Sequence, residues 1–309
     1  MRMRWGTRVL DRGDGTVQIG TRPGLILAGL SAAQRVFVER LETSASVTTL
    51  QQQRHRELLD TLAEADLLEP AAPPSRTLGV TDGGPIGVAI GLAAARDGWA
   101  VRFVDNGGIE YAPPGTYSTG VIASARHGAA CATVRSHVPM AQVTAGEGPA
   151  DAWVIVSGGA PGLDAALALM ARDTAHLFVS VDELGARVGP FVEPGDSACG
   201  WCDGLARADE DEAWPLLALQ LSAPTPAARL ASADVVAGVT ALAIGACGAW
   251  RHGDASRWTN ARWLLTTGQP VAYQAVSPHR LCGCGAAGSV GDDLAARRAR
   301  VPSNEPSVE

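Results

Sequence analysis

The sequence has 309 residues and a mass of 31.8 kDa, room for two or three domains rather than one small core. Hydrophobic residues make up 46% and charged ones 18%, so the chain can bury an interior and is not of disordered type. All 25 basic residues are Arg, which excludes chemistry built on an amine nucleophile, a Schiff base or a P-loop Lys, and a net charge of −7 gives no general attraction for nucleic acid or an anionic membrane.

Residues 1–15 carry Arg2, Arg4, Arg8 and Arg12 without the apolar stretch of a secretory signal, so a cytosolic location is expected. Short apolar runs at Val9-Leu10 and Val17-Ile19 flank Asp14-Gly15, a hairpin signal, and Leu25, Ile26 and Leu27 read as a third strand. Ser31 stands three residues before Gln34 at capping-box spacing, starting a helix whose apolar positions are Val36, Val38 and Leu41. A second helix is expected over Thr48–Gln53 and a third lined by Leu58, Leu59, Leu62 and Ala65. Together they form a winged-helix pattern over 1–72, closed by the proline linker Pro70–Pro74.

The chain then alternates strand and helix. Leu78–Thr81 leads into a turn at Gly83, Gly84 and Gly87, a helix runs through Ile90 to Arg96, and Ala100–Val104 ends at Asp105. An acid about twenty residues beyond a glycine turn is where dinucleotide-type folds hold a ribose hydroxyl. Strands are expected at Ala130–Val134, Trp153–Val156 and Leu177–Val181, with a helix over Leu163–Arg172, giving an α/β, Rossmann-type, largely parallel sheet over 73–195. Val235–Trp250, uncharged with three glycines, is shorter than a membrane span and reads as a core helix; strands are expected at Trp263–Thr266 and Val271–Val276, and 285–309 reads as a disordered tail.

Cys199-x-x-Cys202 and Cys282-x-Cys284 are two close thiol pairs, the spacing of one tetrahedral structural Zn2+ site in a region 196–284; four thiolates leave no open coordination position. Each pair is expected in a loop, with His279 either a substitute ligand or a solvated loop histidine, and Cys131 and Cys247 as buried small hydrophobes. The turn Asp82-Gly83-Gly84-Pro85-Ile86-Gly87 fits G-x-G-x-x-G with Asp82 at the first glycine position, where a carboxylate facing phosphate would repel it unless it rotates into solvent.

The glycine turn with Asp105, the run Ala186–Gly195 and the two cysteine pairs resemble the ThiF-like fold of ubiquitin-activating-type adenylyltransferases, and more closely the actinobacterial ThiF-like partners of YcaO cyclodehydratases, which make azolines in ribosomally synthesised peptides. That resemblance implies a winged-helix domain in which a precursor's leader peptide adds as a strand beside the third strand and lies against the third helix, through Leu25, Ile26, Leu27, Leu58 and Leu62. It also implies homodimers. Against the adenylating members, Asn106–Thr119 contains no Arg, Lys is absent, and the later strand end reads Ser157-Gly158-Gly159-Ala160. Phosphoryl chemistry relies on positioned positive charge, so ATP is not expected at Gly83, Gly84, Gly87 and Asp105.

The expected function is thus a non-catalytic zinc-containing scaffold that presents a leader peptide to a separate YcaO-type cyclodehydratase. The alternatives are an ATP-dependent adenylyltransferase acting on a peptide or small-protein C-terminus and a winged-helix DNA-binding regulator. The last is disfavoured, since 1–72 holds nine Arg against nine Asp and Glu.

Overall fold

The computed structural model describes residues 3–4, 6–21, 24–43, 47–69, 75–109, 115–117, 125–222 and 231–288; most of the expected tail at 285–309 and the linker prolines Pro70, Pro73 and Pro74 lie outside the described residues. The chain divides into two compact units, 1–74 and 75–309.

In the first unit β1 (Val9–Asp11), β2 (Val17–Ile19) and β3 (Leu25–Leu27) form an antiparallel sheet in the order β1-β2-β3. Asp14 closes the hairpin by accepting the Thr16 amide. Helices α1 (Ala32–Glu42), α2 (Thr49–Arg54) and α3 (Arg56–Glu64) follow. The capping box forms as its spacing predicts, with Ser31 Oγ accepting the Gln34 amide and Gln34 Oε1 the Ser31 amide; Thr48 and Gln51 do the same for α2. Phe37, Val38, Leu41, Leu58, Leu59 and Leu62 pack on Val17 and Ile19. Val36 departs from expectation: it points to solvent, and Phe37 takes the core position.

The second unit is built on an eight-stranded sheet in the order β11-β10-β9-β8-β7-β4-β5-β6. β4 (Thr77–Val80), β5 (Ala100–Phe103), β6 (Val143–Ala145), β7 (Ala152–Gly158) and β8 (Ala175–Asp182) are parallel. β9 (Gly185–Val192), β10 (Ala261–Thr266) and β11 (Ala272–Ala275) extend the sheet antiparallel. α4 (Pro85–Arg96) starts with Pro at its first position, where a missing N–H costs nothing, and buries Ile86, Ile90 and Ala94 on the sheet.

The expected strand at Ala130–Val134 is instead part of α5 (Arg126–His137). Its buried residues Ala129, Ala130, Thr133 and Val134 repeat at helical spacing, which a five-residue apolar run does not reveal. α6 (Leu163–Met170), α7 (Gly200–Glu210), α8 (Trp214–Leu221) and α9 (Ala233–Arg251) complete the unit. By length and composition α9 could cross a bilayer; it packs on α4, β8, β9 and β10, burying Val235, Val239, Ala243, Ala246 and Cys247, as a core helix does. Cys131 is buried too, and burial pushes the Cys247 thiol up to about 12.

Candidate functional sites: a closed glycine turn and a four-cysteine centre

β4 pairs in parallel with both β5 and β7, so the strand order reverses at its carboxyl end, the crevice where open α/β sheets bind ligands. The glycine turn sits there and opens α4, whose first amides lack helical partners. Asp82 supplies the acceptors: Oδ1 takes the Gly84 amide at 2.9 Å and Oδ2 the Gly87 amide at 2.8 Å. The carboxylate therefore turns inward onto the amides a phosphate would use, and does not rotate into solvent.

Asp105 is also engaged. Its carboxylate accepts the Gly83 and Gly107 amides at 2.8 and 2.9 Å and the Arg126 guanidinium at 2.8 and 3.1 Å. Arg126 is the first residue of α5, beyond the Asn106–Thr119 stretch in which the resemblance places a cation. Its main chain and side chain fill the space over the turn: a Cβ on Gly83 would lie 2.6 Å from the Arg126 carbonyl carbon, and one on Gly107 would meet the guanidinium. Tyr117 donates its hydroxyl to the Gly83 carbonyl at 2.7 Å, and burial pushes that phenol up to about 12. His127 Nδ1 donates to the Asp105 carbonyl at 2.7 Å. Neither Arg126 nor Tyr117 carries a motif, so only the fold brings them to the turn.

Burial pushes the Asp82 carboxyl above its ordinary value of 3.8, reinforced by the like charge of Asp105, while the two amides pull the other way. A carboxyl with a raised folded-state value holds its proton more tightly folded than unfolded. Its contribution to stability is therefore greatest below about pH 4 and is lost as pH rises through the raised value. Asp82→Asn is expected to remove that group's share of the pH dependence, seen in urea unfolding as a smaller loss of stability on going from acid to neutral pH than the native chain shows.

The four expected zinc ligands converge. Cys199 Sγ lies 3.8 Å from Cys202 and 3.6 Å from Cys282, Cys202 lies 3.6 Å from Cys284, and all four sulfurs fall within 4.8 Å of one another. A tetrahedron with Zn–S of about 2.3 Å has S···S edges of about 3.8 Å, so the set fits one zinc ion. The loop expectation is corrected for the first pair: Cys199 is the N-cap of α7 and Cys202 lies in its first turn. His279 is not in the set and is not solvated; its Nδ1 accepts the Leu281 amide, leaving Nε2–H for Asp209 at 3.0 Å. Burial pushes the Cys282 thiol up to about 11, and a zinc ion bound by the four sulfurs would hold it as thiolate.

A cavity of about 600 Å³ opens at the carboxyl end of β7, walled by Ser157, Pro161, Leu163, Asp203, Trp214 and Leu219. Asp203 at its floor is held by Arg262 at 2.7 Å and Arg207 at 3.2 Å.

In the first unit the structure keeps only part of the expected peptide surface. Leu58 and Leu62 are buried in the core and unavailable, because the apolar stripe that marks α3 is what the sheet covers. Leu25 and Leu27 are half-buried against that core, while Ile26 is 51% exposed. The bonds Gly20 N–H to Arg8 and Arg12 N–H to Thr16 set the ladder phase: Gln18 points its main chain at β1, so Val17 and Ile19 bond to Leu27 and Leu25. The Ile26 N–H and C=O face away from β2, at an edge that no strand pairs among the described residues. A cavity of about 310 Å³ in this unit lies elsewhere, at β1 and α1, between Val9, Arg35 and Glu39.

No protein-family model and no curated protein matches the sequence. Among solved structures, E. coli MccB with ATP superposes with a TM-score of 0.62 at 14% identity, covering 92% of this chain and 98% of that one. E. coli MccB with MccA gives 0.61 at 13% identity over 92% and 99%. A heterocyclase in complex with substrate and cofactor gives 0.56 at 15% identity; the match covers 93% of this chain and 39% of that one. At such identities the likeness is one of architecture, and with its strand order and four-cysteine cluster the chain has the ThiF-like fold.

Proposed function

We propose that this chain is a non-catalytic ThiF-like partner in the biosynthesis of a ribosomally synthesised peptide, holding a precursor's leader and presenting it, in the cytosol, to a separate YcaO-type cyclodehydratase. The observation that carries this reading is the closed glycine turn: Asp82 takes the amides meant for phosphate, and Arg126 takes the acid meant for ribose. No Lys stands anywhere to offset triphosphate charge. Zinc then serves structure alone. The likenesses to MccB with MccA and to a heterocyclase with its substrate support a peptide partner.

The winged-helix unit would take the leader at β3, whose outward Ile26 N–H and C=O pair with an added strand, the main-chain bonds giving affinity. Labelled leader peptides from neighbouring precursor genes, titrated into the full chain by fluorescence anisotropy, are expected to bind at tens of micromolar or tighter. Ile26→Pro removes the outward N–H and leaves the bonds to β2 intact; it should weaken binding at least tenfold with little change in melting temperature. Native-like binding by that variant would remove β3 as the site.

The likeness to ATP-bound MccB favours a second reading, adenylation of a peptide or small-protein C-terminus. ATP–pyrophosphate exchange above that of an Asp105→Ala control would support it.

A further inference from the structure

α8 is apolar on every side: in Trp214-Pro215-Leu216-Leu217-Ala218-Leu219-Gln220-Leu221 only Gln220 is polar. A helix of that composition ordinarily lies inside a core. Here none of its residues is buried, and Leu216, Leu217, Leu219 and Leu221 are 62, 41, 71 and 43% exposed. Its inner side rests on α7, with the Arg207 guanidinium 4.6 Å over the Trp214 ring, and Pro215, Ala218 and Leu219 wall the 600 Å³ cavity. Four leucines in one exposed patch mark an interaction surface.

The approach to α8 is the exposed run Asp209-Glu210-Asp211-Glu212. Asp209 meets His279, and Asp211 accepts the Ala213 amide. Glu210 and Glu212 form no ion pair among the described residues. Asp209 and Glu210 close α7 at the negative end of its dipole, so that helix gains nothing from them.

We propose that α8 and this acidic run form a docking site for an amphipathic basic helix of a separate protein. Its apolar side chains would lie on Leu216, Leu217 and Leu219 and its Arg or Lys residues on Glu210 and Glu212. Charge favours a basic partner over a second copy of this chain, because α8 itself carries no Arg or Lys to meet Glu210 and Glu212.

The test uses the full chain and two labelled synthetic helices, one of Leu and Arg in amphipathic spacing and one with Glu in place of each Arg. The basic helix is expected to bind at least tenfold more tightly than the acidic one and to weaken severalfold in 0.5 M salt. The double variant Leu216→Glu/Leu219→Glu should lose binding, and Glu210→Gln/Glu212→Gln should weaken it severalfold. All four side chains are exposed, so circular dichroism and melting should match the native chain. Equal binding of the two helices, or native binding by the leucine variant, overturns the proposal. A dimer in light scattering that the leucine variant abolishes, with neither helix binding, overturns it in favour of a second copy.

Discussion

Replacing Cys202 with Ser is expected to strip zinc from the protein and to lower the melting temperature of the 75–309 unit by about 10–20 °C. Structural zinc contributes about 10–16 kcal/mol in small peptides, comparable with the roughly 5–15 kcal/mol stability of a whole domain. Here the sheet has a core of its own around Leu78, Phe103, Leu177 and Val188, so only part of that contribution is lost. A loss of about 5 kcal/mol at about 2–4 °C per kcal/mol gives the stated shift. The loss should also be local. After β11 the chain has no strand or helix through Cys284, and its ties to the rest of the unit there include the cysteines, the His279–Asp209 contact, the bond from Val276 to Asn260 and the packing of Val276 in the core. Hydrogen exchange in the variant should therefore lose protection over 277–288 and the first turn of α7 while β4, β7 and β8 keep theirs. Elemental analysis that finds no metal in the freshly purified native chain would remove the zinc centre from the account altogether.

The parts of this molecule legible in the sequence are those set by neighbours along the chain. Ser31 and Gln34, Asp14 and Thr16, Pro85 after Gly84, and each cysteine pair act over a few residues, so their spacing states the geometry. The expectation that the two distant pairs meet rests on chemistry, since two thiolates alone do not complete a zinc tetrahedron. What was illegible depends on side-chain direction and on contacts across loops. Arg126 reaches Asp105 over 21 residues and Tyr117 reaches Gly83 over 34, and nothing in either local pattern announces the partner. Whether Asp82 faces water or the amides is a rotamer choice. Leu58 and Leu62 fail for another reason: one apolar stripe both builds a helix and offers a peptide surface, and only the packed structure says that the core has used it. The short run at Ala130–Val134 fits strand and helix alike until its burial pattern is seen.

Opening the glycine turn should change ligand binding more than any other substitution. Asp82→Gly removes the carboxylate from the Gly84 and Gly87 amides and completes G-x-G-x-x-G, while Arg126→Ala frees Asp105 for a ribose hydroxyl. Two unit charges 4 Å apart at an effective dielectric of 20 repel by about 4 kcal/mol, so the first change can raise affinity for a phosphate group by up to about a thousandfold. Asp82 stands two residues before the N-cap Gly84, so its loss leaves the buried Gly84 and Gly87 amides without their acceptors at a cost of about 1–3 kcal/mol each, and circular dichroism checks that the variant stays folded. Calorimetric titration of the native chain with pyrophosphate and with magnesium ATP is expected to give no binding heat. Asp82→Gly should bind pyrophosphate, and the double variant should bind ATP more tightly than pyrophosphate, because the freed Asp105 adds the contact that tells a nucleoside from a bare phosphate chain. The order of the two gains matters: a phosphate response to Arg126→Ala alone would mean that filled space, not the Asp82 charge, keeps the anion out. Micromolar ATP binding by the native chain would mean that both carboxylates move aside, and the glycine turn would then be a working nucleotide site rather than a closed one.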